Sequence, residues 1–263
     1  MHDSPLPVAP HIGPDIAPHV AQRIAFVTGT SSGIGLAITR RLLADGWLVQ
    51  GFDRAPAALV DAKFSSLALD LTDGAQIDSA LDAALSSLNI NADGTAKRRV
   101  PGALVHAAGL LRVAPLGTLD PADGEAMWRL HVDAATRLAN RLLPAMQAAG
   151  AGRMVMVGSR VSSGIAGRSQ YAASKAALVS LARSWAAESM AMGVTVNVVS
   201  PAATDTPMMV DPARTGTAPR LPPIGRLIKP EEVAALVAFL LSEDAAAITG
   251  QDIAVCGGSS VRA

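Results

Sequence analysis

The sequence predicts a single doubly wound α/β domain, and three observations lead to it. From Arg23 onward, short apolar runs alternate with longer stretches of helical periodicity. The runs are nearly all apolar rather than alternating, which suits the strands of a parallel sheet covered on both faces. The first of them leads directly into a glycine-rich turn that opens a helix. No break is long enough to separate domains and there is no internal repeat, so this alternation gives one open sheet flanked by helices.

Taken in order, residues 1–21 form a proline-rich arm, marked by Pro5, Pro7, Pro10, Pro14 and Pro18, ahead of a domain spanning 22–263. The arm lacks a cationic start followed by an unbroken apolar core, so it is expected to be an extended segment rather than a secretory signal. Docking on a neighbouring subunit is its alternative use. Strands are expected at 24–27, 47–52, 67–69, 103–106, 154–157, 194–199 and 253–255, and helices at 34–44, 75–88, 125–148, 170–190 and 231–241. Two stretches fit neither period: a polar insertion at 89–101 and a loop rich in Pro, Gly and Arg at 207–225. Long irregular segments of this kind are lids or linkers.

Composition narrows the function classes. The chain has 263 residues, of which 50% are hydrophobic, and its 22 basic and 22 acidic side chains cancel. A balanced charge without long runs gives no reason to expect nucleic acid or an anionic membrane surface as partner. No apolar stretch reaches the roughly 20 residues needed to span a bilayer. The single cysteine, Cys256, excludes an internal disulfide framework and suits a reducing cytoplasm. No metal site is expected, and the expected partner is a small-molecule substrate.

The turn at 28–35 reads Thr-Gly-Thr-Ser-Ser-Gly-Ile-Gly. Its glycines, Gly29, Gly33 and Gly35, let the backbone approach a pyrophosphate, and the amides around Ser31, Ser32 and Ile34 open a helix whose dipole favours the anion. At the end of the second strand, Asp53 can accept from the adenosine ribose hydroxyls and repel a 2′-phosphate. Arg54 is ambiguous, because a guanidinium can stack on adenine or receive that phosphate. Ser32, rather than a basic residue, precedes the second glycine. The expected cofactor is therefore NAD, with NADP the less favoured alternative.

Tyr171 and Lys175 lie four apart at the start of the helix at 170–190, so phenol and ammonium share one face. A free phenol, with a pKa of about 10, exchanges protons poorly at neutral pH. A nearby ammonium and an oxidised nicotinamide favour the phenolate and bring it into working range. Tyr171 is the only tyrosine, and the chain has four lysines, so chance does not readily produce the pair. Ser159, 12 residues upstream at a strand's carboxyl end, is the candidate donor to the substrate oxygen, with Ser162 and Ser163 as competitors.

These motifs together resemble the short-chain dehydrogenase/reductase family over 23–260. The resemblance implies a Rossmann-type, seven-stranded parallel sheet of order 3-2-1-4-5-6-7. It implies hydride transfer between nicotinamide and a secondary alcohol or ketone, and a homotetramer or homodimer built partly on the helices at 125–148 and 170–190. It adds to the cofactor site Asp70 with Leu71 after the third strand, Ala107, Ala108 and Gly109 after the fourth, and Pro201, Thr204 and Thr206 after the sixth. The sequence departs from the family pattern at His106, where the first of two asparagines stands, and at Ala202, where a glycine follows the proline. The fourth catalytic position, usually asparagine, is His131. An imidazole can hold the water that this asparagine binds, and unlike an amide it can titrate; the alternative is a histidine that only packs.

Within the family, short segments around Asp53, Leu110 and Thr204 are similar to 2,3-dihydro-2,3-dihydroxybenzoate dehydrogenases, while most other motifs are shared with 3-oxoacyl-carrier-protein reductases. Arg112, Arg160 and Arg168 sit on loops at the strand ends, with Leu110, Leu111, Met208 and Met209 close in sequence. An apolar cleft rimmed by guanidinium groups suits a cyclic hydroxy acid or dihydrodiol. The alternative class is a dinucleotide-binding sensor or assembly protein with impaired catalysis, which only His131 favours.

Overall fold

The computed structural model describes residues 23–89, 99–210 and 221–261. The proline-rich arm, the larger part of the insertion at 89–101 and half of the loop at 207–225 lie outside these residues. Seven strands form one parallel sheet: β1 (Ile24–Thr28), β2 (Leu48–Asp53), β3 (Phe64–Ala68), β4 (Ala103–His106), β5 (Gly152–Val157), β6 (Val194–Pro201) and β7 (Asp252–Val255). Their order is β3-β2-β1-β4-β5-β6-β7, as the family resemblance implies. The order reverses beside β1, which pairs with β2 on one side and β4 on the other. Open sheets of this kind bind ligands at the carboxyl ends of the strands beside such a reversal.

Helices cover both faces: α1 (Gly33–Ala44) and α6 (Pro230–Leu240) on one, α2 (Gly74–Leu88), α4 (Ala134–Ala148) and α5 (Ser169–Ser189) on the other. Ile38, Leu42, Val233 and Val237 pack on Val27 and Val105; Ile77, Leu138, Leu142 and Leu178 pack on the opposite face with Phe26, Leu104 and Met154. Each fully buried aliphatic side chain of this size contributes about 1.5–3 kcal/mol relative to exposure. Being covered on both sides explains why β1, β4 and β6 are buried at every residue.

The sequence reading departs from the structure where burial is partial. β3 runs over Phe64–Ala68 rather than 67–69, because it is an edge strand whose Ser65 and Ser66 need not be apolar. The helix expected at 125–148 begins earlier, as α3 (Pro121–Trp128), where the Asp120 carboxylate accepts the Ala122 N–H at 2.8 Å. It reaches α4 through a π-helical turn at Arg129–Asp133 that buries His131 and Val132. A single wide turn leaves the hydrophobic period almost unchanged, so the pattern does not reveal it. Among the described residues, no helix is long and apolar enough to cross a membrane.

Candidate active site

A cavity of about 570 Å³ opens at the carboxyl ends of β1, β4, β5 and β6. Ile34, Ala107, Gly109, Tyr171, Lys175, Pro201, Thr204 and Thr206 all line it. Beside the glycine turn the backbone is crowded. A β-carbon at Gly35 would collide with the Gly29 carbonyl oxygen, and one at Gly29, whose φ is +77°, would stand 2.8 Å from the Ala108 amide nitrogen. At Gly33 it would stand 3.1 Å from Thr206. Ser32 precedes α1 in extended conformation without capping it through its side chain, and the first turn carries no acidic residue. This leaves a narrow cradle of amides at a helix start, which fits a pyrophosphate.

Asp53, at the end of β2, is fixed beside the glycine turn. Its two carboxylate oxygens accept the Ser31 N–H at 2.9 Å and the Ala55 N–H at 3.0 Å, while the Ser31 hydroxyl donates to the Ala55 carbonyl at 3.1 Å. Arg54 beside it is exposed. Asp70 turns inward on its own loop, accepting both the N–H and the hydroxyl of Thr72 at 2.8 Å. Leu71 is buried in the core between the sheet and α2, so its side chain serves packing.

At the other end, Tyr171 and Lys175 project from α5 as expected, both nearly fully buried, with the ammonium nitrogen 5.9 Å from the phenol ring centre. The Lys175 ammonium donates to the Val157 carbonyl at 2.8 Å, which ties α5 to the last residue of β5. Burial pulls the lysine down to about 7. Ser159 is buried two residues on; it does not itself line the cavity, though its neighbours Gly158 and Arg160 do, and its hydroxyl accepts the Val161 N–H at 3.2 Å. Ser163 is exposed and bonds the Arg160 carbonyl. Of the three candidate serines, Ser159 is therefore the one at the buried strand end.

His131 faces the same region, its ring edge-on to Tyr171 with centres 5.6 Å apart. Both ring nitrogens are engaged by the protein: Nε2 accepts the Leu110 N–H at 3.1 Å and Nδ1 meets the Ser174 hydroxyl at 2.9 Å. Both nitrogens are thus occupied by the chain itself, which leaves neither for the water that the family position implies. Burial, then the charge of Lys175, keeps this imidazole well below its ordinary range.

The three arginines separate. Arg160 and Arg168 line the cavity, where Leu111, Val161, Ile165, Met208 and Met209 supply its apolar wall. Arg112 is not among the lining residues; it pairs with Asp123 of α3 at 3.4 Å. Sequence reasoning missed His106 and Ser174 as members of the site. His106 carried a signal in its departure from the family asparagine, whereas a serine three residues after Tyr171 has no signature of its own. It also missed Ser259 and Leu221 in the cavity wall, which distant segments bring in.

A family model described as enoyl-(acyl carrier protein) reductase matches residues 29–260. The chain is 37% identical over 254 residues to cis-4-hydroxycyclohexanecarboxylate dehydrogenase of Sinomonas cyclohexanicum, covering 90% of this chain and 96% of that protein. Among solved structures, an actinorhodin polyketide ketoreductase with NADPH superposes with a TM-score of 0.81 at 27% identity, covering 92% of this chain and 98% of that one. A 3-ketoacyl-(acyl-carrier-protein) reductase from Brucella melitensis complexed with NADH does so with a TM-score of 0.79 at 26% identity, covering 91% and 98%.

The buried lysine predicts a pH signature. Its folded value of about 7 lies below the ordinary 10.5, so from about 7 upward to 10.5 the unfolded chain binds the proton that the folded one has lost. Stability from this group therefore rises with pH across that window. Urea denaturation at pH 7, 8 and 9 should show this slope in the wild type and lack it in Lys175→Met. Equal slopes in the two proteins would mean that Lys175 keeps its proton when folded.

Proposed function

The chain belongs to the short-chain dehydrogenase/reductase family, and from that premise we propose that it moves a hydride between NAD(H) and the hydroxyl-bearing carbon of a cyclic hydroxy acid or its ketone. The observation that carries the reading is the convergence of Tyr171, Lys175 and a partly apolar, arginine-bearing wall on one cavity that continues to the glycine turn.

A bound dinucleotide supplies the hydride acceptor in oxidation and the donor in reduction. The chain's own residues handle the proton. The Tyr171 phenol gives it to the substrate oxygen as the carbon gains hydride, and the Tyr171 phenolate takes it from that oxygen as the carbon loses hydride. The Lys175 ammonium, fixed by the Val157 carbonyl, favours the phenolate. Ser159 donates to the same substrate oxygen and holds it beside the phenol. Gly109 leaves room for His131, since a β-carbon there would stand only 3.3 Å from its Nε2, while the Lys175 nitrogen at 3.6 Å would be in ordinary contact. His131, the one feature favouring a sensor without catalysis, leaves Tyr171 and Lys175 together in the cavity.

The preference for NAD(H) rests on Asp53. With both oxygens tied by backbone amides, its carboxylate has little freedom to swing from an incoming 2′-phosphate. The substrate class rests on the wall. Its aliphatic and methionine side chains suit a saturated or partly unsaturated ring, and Arg160 and Arg168 suit a carboxylate on that ring. The similarity to cis-4-hydroxycyclohexanecarboxylate dehydrogenase supports the same class.

Three expected outcomes test the reading. Tyr171→Phe should lower kcat by about 10²–10⁴-fold while NADH affinity, measured by fluorescence titration, stays within a factor of about two. Substantial residual turnover would assign the proton to another group. Asp53→Ala should narrow or reverse the ratio of kcat/KM for NAD⁺ over NADP⁺; a wild type that already favours NADP⁺ would hand control to Arg54. Lastly, Arg160→Ala and Arg168→Ala should each cost cis-4-hydroxycyclohexanecarboxylate about 1.5–3 kcal/mol in kcat/KM and leave its methyl ester nearly unaffected. Arg112→Ala, on the surface pair with Asp123, should change neither. Equal losses for acid and ester would point to a neutral alcohol or ketone.

A further inference from the structure

The π turn between α3 and α4 is braced by two histidines whose hydrogen bonds run in fixed directions. The backbone amide of Leu110 can only donate, so His131 Nε2 must accept, and its proton resides on Nδ1. That proton goes to the Ser174 oxygen, and Ser174 in turn donates to the Tyr171 carbonyl at 2.9 Å. A second chain of bonds enters the same turn from β4. The Ala107 and Ala108 amides both donate to the Thr28 hydroxyl at 3.1 Å, which leaves its proton for His106 Nδ1 at 3.0 Å. His106 Nε2–H then donates to the Leu130 carbonyl inside the π turn at 3.1 Å. Both imidazoles are fully buried and fixed in one neutral tautomer.

We propose that His131 is a positioning residue: through the oriented chain Leu110 N–H, His131, Ser174 and the Tyr171 carbonyl, it fixes the phenol against Lys175 and takes no proton itself. His106 supports it by anchoring the turn from which it projects. The inference rests on the reading of Tyr171 and Lys175 as the reacting pair. Geometry sets the constraint. Protonating His131 would put an N–H against the Leu110 N–H, and the groups that face the ring are Lys175, His106 and Tyr171, of which the first is cationic when protonated. Burial and that charge both hold the imidazole neutral well below its ordinary range, so it offers the site a fixed dipole and no titrating group.

Because Tyr171 is the only tyrosine, its titration can be followed alone, by the ¹³Cζ resonance of labelled protein saturated with NADH. His131→Ala should raise the titration midpoint of this phenol by about one pH unit, since loosening the ring lets it drift from the Lys175 charge. Turnover of cis-4-hydroxycyclohexanecarboxylate with NAD⁺ should fall by up to about 10²-fold, as for a misplaced reacting group. His131→Gln, whose amide again offers an acceptor and a donor, should restore the midpoint and keep the acid limb of the pH profile unchanged. Ser174→Ala should move the midpoint in the same direction as His131→Ala, which keeps the test decisive if His131→Ala does not fold. An unmoved phenol in Ser174→Ala and in any folded His131→Ala overturns the proposal, as does an acid limb that shifts in His131→Gln. Turnover surviving Tyr171→Phe would instead defeat the functional reading and leave the titration result standing.

Discussion

One hydroxyl ties together the two strands between which the sheet reverses its order. Thr28, the last residue of β1, accepts hydrogen bonds from both amides that follow β4 and donates its own hydroxyl hydrogen bond to His106 Nδ1. Pairing in the ladder alone would align β1 with β4 only as far as their last residues. The hydroxyl extends that alignment into the loops, so that the glycine turn on one side and Ala107 to Gly109 on the other keep a common spacing. Helix α1, the π turn and the wall opposite the phenol are all positioned from this junction. A hydroxyl that accepts twice and donates once uses its full bonding capacity, and such fully satisfied buried networks specify a single arrangement.

The charge pattern around the junction has one logic. Among the described residues, Lys175 is the buried lysine of the site, satisfied in part by the Val157 carbonyl, and burial brings it close to neutrality. Two imidazoles stand near it, and each is depressed first by its own burial and next by that ammonium. His106 falls to about 3. The ammonium disfavours a proton on both imidazoles, and a charged His106 would disfavour one on His131, so the lysine, with the highest intrinsic affinity, keeps its proton longest. A site with two histidines thus carries no histidine charge at neutral pH.

Much of this is legible in the sequence, and the reasons differ by residue. Largely apolar runs are favoured on the central strands by cover on both faces, so β1, β4, β5 and β6 can be read directly. Tyr171 and Lys175 can be read because helical spacing places residues four apart on one face. Asp53 and the glycine turn follow from strand–turn–helix succession. What the sequence hides is long-range. The partners of His131 are an amide 21 residues upstream and a hydroxyl 43 residues downstream, and no local pattern encodes either contact. Arg112 has the same loop setting as Arg160 and Arg168, and only the fold reveals that Asp123 draws it aside. The edge strand β3 escapes the apolar pattern at its start because polar side chains suffice on an exposed flank.

The same junction governs how the chain comes to fold. Thr28 and His106 are separated by 78 residues, so their bond closes a long loop, and the hydroxyl has no partner of this kind until β4 has formed. Strands β1, β2 and β3 can assemble from the first third of the chain, but until β4 forms the other flank of β1 is an unpaired, largely apolar ribbon. Parallel pairing at such separation is slow, because the entropy of closure is lost before any contact compensates it. A nascent or truncated chain ending before residue 103 would therefore expose the centre of the future sheet. Its susceptibility to edge-to-edge association is built into the strand order that also creates the cofactor cleft.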